Sequence, residues 1–359
     1  MKIFLLILGL VVVVIMAVVI MFVIKSSQPM YEVGNVTKGI NVSASFEPPA
    51  QPKDVDYFLV EEEIKLHYFT QGTGTNVLII HGGPGMPNTS EWKGLNELSK
   101  DYQFIYYDQR GCGDSTRPID AFASKNYHNN MLELESTLGL TAQIADVERI
   151  RHILGEDKLI IIGHSFGGFL AALYAAEFPD NVEKLILVAP APLMKMPMET
   201  EDLFANIKKR LPDNELEGYE DFVKRYFDYQ NIFNNSDKDL VNLNNELEYY
   251  FNLAYSATEY VPPENNMAGG WMIQAMYFSM GKKHDYTKSF PELDTEVLII
   301  HPGADFVQTE AASKTYLDLF KNAEFVIIED SGHAVFEDAP EIFGDTIKSF
   351  LNDYSEVLE

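Results

Sequence analysis

One stretch leaves this chain few architectures to adopt: residues 158–179, KLIIIGHSFGGFLAALYAAEFP. Leu159 to Ile162 is a run of branched apolar residues and predicts a buried strand. From Phe166 onward, Phe169, Leu170, Leu173 and Tyr174 recur at helical spacing. Between strand and helix stands Gly163-His164-Ser165-Phe166-Gly167, a G-x-S-x-G sequence in the setting that motif requires. So tight a turn leaves no room for side chains at the two glycine positions. It lifts the Ser165 hydroxyl above the sheet and aims the Phe166 N–H at the same point. A glycine-rich strand–helix connection without chemistry shares the bare pattern; the flanking strand and helix favour a nucleophilic serine.

The rest of the chain repeats that strand-then-helix rhythm. Tyr57 to Val60 and Ile64 to Thr70 predict an antiparallel pair at a sheet edge, followed by buried strands at Val77–Ile80 and Phe104–Tyr107. Thr141 to Leu154 carries Ile144, Val147, Ile150 and Leu154 on one helical face, and Val182–Val188 is a strand after the serine helix. The rhythm stops over 194–285. Residues 195–285 hold 16 acidic, 15 aromatic and nine basic residues in a helical pattern. Strands resume at Glu296–Ile300 and Glu324–Ile328, with helices at Thr309–Phe320 and Glu341–Leu351. Interrupted alternation of this kind predicts a mostly parallel α/β sheet flanked by helices, with a core of 55–193 and 286–359 and an inserted helical cap at 194–285.

Ahead of this core, Ile3 to Ile24 is an unbroken apolar run of 22 residues. About 20 are needed to cross a bilayer, and Ile24-Lys25-Ser26-Ser27 makes a poor signal-peptide cleavage site. The expectation is one transmembrane anchor over 1–25 that holds an extracytoplasmic enzyme to the membrane. Residues 26–54, with Pro29, Pro48, Pro49 and Pro52, read as a linker. The formal charge of −27, from 54 acidic and 27 basic residues, argues against nucleic acid as a partner. The single cysteine, Cys112, excludes an internal disulfide framework, and no cysteine cluster suggests a metal. No cofactor is expected.

A serine hydroxyl needs a base within hydrogen-bond reach, and the base needs a carboxylate to orient it. In such sheets the reacting groups lie beyond the carboxyl ends of strands. The Glu296–Ile300 strand runs into His301-Pro302-Gly303-Ala304-Asp305, and the last strand into Glu329-Asp330-Ser331-Gly332-His333. Ser165, Asp305 and His333 therefore follow the serine–acid–histidine order of α/β-hydrolases. Asp330 is the rival acid because it stands close to His333, and a turn-capping role is the plainer reading of Asp305. Of the other histidines, His81 and His164 flank the site and read as loop supports. The loop after Val77–Ile80 lets Gly83 point its N–H into the cleft beside that of Phe166, so these two are the candidate oxyanion donors.

His81-Gly-Gly-Pro-Gly85 together with Asp108-Gln-Arg-Gly-x-Gly-x-Ser115 resembles the prolyl aminopeptidase (proline iminopeptidase) family of α/β-hydrolases, over roughly residues 55–355. The resemblance implies a serine peptidase with Ser165, Asp305 and His333 as its triad, Gly83 and Phe166 as oxyanion donors, and Asp108 and Arg110 as holders of the neighbouring loop. A buried ion pair between those last two is the purely structural reading. Two features differ from the family: Gly163-His164-Ser165-Phe166-Gly167-Gly168 replaces a Gly-Gly-Ser-Trp-Gly-Gly type of elbow, and the cap has no Trp-Glu-Gly-Glu sequence. The expected activity is release of an amino-terminal proline or small apolar residue from peptides; the alternative is a carboxylesterase or lipase-like enzyme acting on uncharged esters. An aminopeptidase must also hold a cationic amine, for which the cap offers Glu246, Glu248, Glu259 and Glu264, with Glu246 and Glu264 the candidates.

Overall fold

The computed structural model of the chain describes residues 28–198, 203–256 and 267–352. Its strands are β1 (Tyr57–Glu61), β2 (Ile64–Gly72), β3 (Thr75–Ile80), β4 (Tyr102–Tyr107), β5 (Leu159–His164), β6 (Val182–Val188), β7 (Lys195–Met196), β8 (His284–Asp285), β9 (Glu296–Pro302) and β10 (Asn322–Ile328). Eight of them form one sheet in the order β1-β2-β4-β3-β5-β6-β9-β10. β1 and β2 pair antiparallel, as do β2 and β4; every other neighbouring pair is parallel.

The central strands read as continuous apolar runs because both faces are covered. Leu78, Ile80, Ile161, Leu185 and Leu187 pack on one side. There they meet α2 (Leu140–Leu154) and α3 (Phe166–Glu177), with α1 (Tyr127–Leu138) beyond. The alternate residues Val77, Ile79, Ile160, Ile162 and Ile186 face the other side, where Phe343, Ile347 and Phe350 cover them. Each fully buried aliphatic side chain contributes about 1.5–3 kcal/mol, so these layers hold the strand ends of the site in fixed relation.

Between β6 and β9 the chain leaves the sheet. β7 and β8 pair antiparallel, Met196 opposite His284, and form the neck of the excursion. The His284 ring spans it, with its nitrogens 2.9 and 2.8 Å from the carbonyls of Met280 and Leu193. Beyond the neck, α4 (Leu203–Arg210), α5 (Leu216–Tyr226) and α6 (Asp237–Ser256) share a small core of their own around Ile207, Tyr219, Phe222 and Tyr250. α7 (Trp271–Met280) returns to the main core through Met272 and Met276 and packs against α1. The chain closes with α8 (Glu310–Lys314), α9 (Val335–Asp338) and α10 (Pro340–Asn352).

Two expectations change at the amino-terminal end. The apolar run 3–24 lies outside the described residues, and among those described no helix is long and apolar enough to cross a membrane. The longest, α6, has 20 residues but carries Asp237, Lys238, Asp239, Glu246 and Glu248. The membrane-anchored, extracytoplasmic placement is therefore corrected. The described part of the stretch read as a linker is not a free tether either. Tyr31 and Val36 are fully buried, and residues 28–46 lie against the core as a strap.

Candidate active site

The turn after β5 shows why its glycines are needed. A Cβ on Gly167 would sit 2.0 Å from the Ile80 carbonyl oxygen, and one on Gly163 2.4 Å from that of Gly167. Ser165 occupies φ 54°, ψ −119°, a conformation that costs a non-glycine residue about 1–3 kcal/mol. Its own backbone is pinned: the Ser165 N–H donates to Val188 O at 2.9 Å, and Ser165 O accepts from Ala191 at 2.9 Å and from Gly168 at 3.0 Å. Ser165 stands immediately ahead of α3, whose first N–H groups have no carbonyl to bond within the helix.

Asp305 and His333 come together beyond the ends of β9 and β10. His333 Nδ1 lies 2.8 Å from Asp305 Oδ2, and the Asp305 side chain is wholly buried. The other carboxylate oxygen, Oδ1, accepts from the Val307 N–H at 2.7 Å. With Nδ1–H engaged by the carboxylate, Nε2 is the nitrogen left to accept a proton. The rival acid, Asp330, is exposed in a turn at φ 55°. Among the described residues no hydrogen bond joins Ser165 to His333. The residue beside the serine makes the link instead: His164 Nε2–H donates to His333 O at 2.9 Å, and the two rings lie 4.8 Å apart. Burial, and then the neighbouring His333, push the His164 pKa down to about 3, so it stays neutral.

His81 and its surroundings brace the glycine loop. Its Nδ1–H donates to Gly82 O at 2.9 Å, while Nε2 accepts from the Gln109 N–H at 3.1 Å. Burial lowers its pKa to about 4, and a neutral ring is what this bonding pattern needs. The ion pair of Asp108 with Arg110, the purely structural reading of these two residues, does not form. Arg110 instead binds Asp146 and Glu61, while Asp108 Oδ2 accepts from Asp114 N at 2.9 Å and faces His67 Nδ1 at 3.1 Å. His67, Asp108 and Asp114 also gather three potential metal ligands, and Asp108 already accepts a hydrogen bond from Asp114 N through Oδ2.

Gly83, Ser165 and Phe166 share the wall of one cavity of about 1370 Å³ between sheet and cap. Its lining is largely apolar and includes five methionines, Met30, Met131, Met196, Met198 and Met280, with Phe204 and Tyr277 among the aromatics. Among the described lining residues there is no carboxylate, and Lys282 carries the formal charge. Glu246 is not in this wall. Both its oxygens are taken by Arg225, at 2.6 and 3.0 Å, on the outer side of α5 and α6. Glu259 and Glu264 lie outside the described residues. Sequence reasoning missed the cavity-facing role of residues 28–30, because a polar, proline-containing stretch gives no periodic signal.

The comparisons with known proteins agree with the fold. The sequence model of the alpha/beta hydrolase fold family matches residues 75–340. A proline iminopeptidase of Heyndrickxia coagulans is 28% identical over 292 residues, covering 78% of this chain and 92% of its own. One from Pestalotiopsis fici is 26% identical and covers 77% and 91%. Among solved structures, an esterase from Thermogutta terrifontis superposes with a TM-score of 0.53 at 19% identity, covering 84% of this chain and 98% of the esterase. An esterase from Exiguobacterium antarcticum gives 0.53 at 20% identity, covering 81% and 96%.

Proposed function

This chain belongs to the α/β-hydrolase fold family, and from that premise we propose that it is a serine aminopeptidase releasing proline or a small apolar residue from the amino terminus of peptides. The observation that carries the chemistry is the 2.8 Å contact between Asp305 and His333 at adjacent strand ends, on the sheet that also holds the Ser165 turn. In the proposed reaction, His333 Nε2 takes the Ser165 proton as Oγ attacks the substrate carbonyl. Asp305 holds the imidazole by Nδ1 and stabilises its charge. The N–H groups of Gly83 and Phe166 receive the oxyanion, and His333 returns the proton to the leaving amine. Water, activated by the same histidine, then releases the acyl group from Ser165. His164 keeps the base beside the nucleophile, through its bond to the His333 carbonyl.

The peptide substrate is supported by proline iminopeptidases that match this chain over 77–78% of its length. The cation site for the substrate amine falls to Glu264, since Glu246 is engaged by Arg225. A specific observation favours a second reading, hydrolysis of uncharged esters: the described cavity wall is apolar and contains no carboxylate.

Kinetics separate the two. Ser165→Ala and His333→Ala are each expected to lower kcat by about four orders of magnitude or more, with the fold intact by circular dichroism. Near-normal turnover in either variant would remove the serine mechanism. Arylamides of proline, alanine and leucine are then compared, with free and acetylated amines, beside a short-chain aryl ester. An aminopeptidase loses the acetylated substrates. Equal turnover of blocked and free amines, with faster ester cleavage, leaves the esterase.

A further inference from the structure

The strap formed by residues 28–46 precedes the family match, yet it reaches the reaction cavity. Three separate anchors hold it. The first is Glu177, in the last turn of the helix that begins beside Ser165. Its carboxylate accepts from Tyr31 OH at 3.0 Å, Gly34 N at 2.7 Å, Val36 N at 3.3 Å, and Thr37 N and Oγ1 at 3.1 and 3.0 Å. Five donors on one buried carboxylate leave the strap little freedom, since each unmade bond strands a buried charge.

The second anchor is the cap helix α7. Met30 N and Tyr31 N both donate to Ser279 O, at 2.8 and 3.1 Å. Just beyond that helix, a Cβ on Gly281 would stand 2.8 Å from Gln28 O, so the strap runs where only a glycine admits it. The third is Arg149, whose guanidinium donates to Ser45 O and Ala44 O, each at 2.9 Å. Together they set Gln28, Pro29 and Met30 into the wall of the 1370 Å³ cavity that contains Ser165.

We propose that Met30 is a specificity-determining residue, the strap's contribution to the substrate wall, and that it limits the length of apolar group the cavity accepts. This rests on the reading that the cavity beside Ser165 is the substrate site. A thioether wall packs against chains of varied shape, and such a wall discriminates by length. Glu177 acts at one remove, as a positioning residue for the strap.

The test uses the full chain with Met30→Trp, Met30→Ala and Glu177→Gln. Two readouts are taken: the ratio of kcat/KM for decanoyl over acetyl 4-nitrophenyl esters, and the affinity for N-phenyl-1-naphthylamine, an uncharged apolar fluorophore that needs no catalysis. Met30→Trp is expected to lower the ratio and weaken fluorophore binding by about tenfold, through KM, and Met30→Ala to raise the ratio. Glu177→Gln is expected to shift the ratio as Met30→Ala does, to a smaller degree. Both readouts unchanged within about twofold in Met30→Trp and Met30→Ala would overturn the proposal. A wild-type protein that binds the fluorophore, loses it in Met30→Trp and turns over neither these esters nor the free-amine arylamides would refute the hydrolase reading and support the strap. A wild type that neither binds the fluorophore nor cleaves the long ester would remove the apolar cavity and the proposal with it.

Discussion

The sheet side of the cavity and the cap side are built by opposite rules. On the sheet side each candidate catalytic group is held by a specific bond or turn: Ser165 by a turn that excludes two Cβ atoms, Asp305 by the Val307 N–H, His333 by the Asp305 and His164 side chains. On the cap side the wall is an assortment of methionines and aromatic rings, whose contacts are interchangeable in kind. Chemistry tolerates errors of only a few tenths of an ångström, whereas an apolar wall tolerates any packing of similar volume. Single substitutions are therefore expected to cost most on the sheet side and least on the outer cap, and this gradient can be broken.

The largest effect is expected from Gly167→Ala. Its Cβ would sit 2.0 Å from the Ile80 carbonyl oxygen, and neither backbone can retreat without distorting the turn or strand β3. A loss of stability of at least about 3 kcal/mol is expected, at the top of the range for overpacking, together with at least about a 100-fold loss of kcat/KM. Gly155→Ala is the control. It has φ +72° but nothing within 4 Å of its Cβ, so a cost of about 1 kcal/mol and unchanged activity are expected. Comparable melting shifts for both variants would mean that crowding does not hold the serine turn.

An intermediate effect is expected where the two regions meet. Glu135, on α1, is buried with Thr141 Oγ1 at 3.1 Å and Ser279 of α7 beside it; Tyr31 and Tyr286 are the titratable neighbours. Burial raises its pKa to about 7 from the ordinary carboxylate value of 4.5. Between those values the folded chain keeps a proton that the unfolded chain loses, so this contribution to stability is complete below the lower value and is lost as pH rises through about 7. At pH 8 the loss is on the order of 3 kcal/mol as an upper bound. Glu135→Gln is expected to melt higher than wild type at pH 8, with the difference shrinking toward pH 5. A pH-independent difference would show that Glu135 is not protonated in the folded state near neutrality.

The same contrast explains what could be read from sequence. The strand runs, the glycine turn and the meeting of Asp305 with His333 were legible, because strand ends and glycine spacing dictate backbone position. Asp330 was a plausible partner by proximity in sequence, but its turn leaves it exposed. The strap was illegible. Glu177 recruits three backbone N–H groups, which leave no signature in side-chain pattern, and Tyr31 and Val36 are too few for a period. The partners of Arg110 were equally hidden: Asp146 and Glu61 lie far from it in sequence.

The smallest effect is expected at Glu246, and it tests the cap side directly. Helical spacing could not say which face of α6 it occupies; the structure sets it against Arg225, with side-chain exposures of 33% and 48%. An exposed pair of this kind is worth about 0–1 kcal/mol and fades with salt, as water and ions screen both charges. Glu246→Gln is therefore expected to lower the melting temperature only slightly, with the difference vanishing in high salt. It should leave KM for a free-amine arylamide and for the aryl ester within about twofold of wild type. A carboxylate that gripped the substrate amine would behave otherwise, because a charge-assisted bond in a partly dry pocket is worth about 1.5–3 kcal/mol. A rise in KM of tenfold or more, confined to free-amine substrates, would place Glu246 at the substrate and contradict the separation of the two regions. A rise shared by arylamide and ester alike would point to displacement of α6 and the cavity wall it supports.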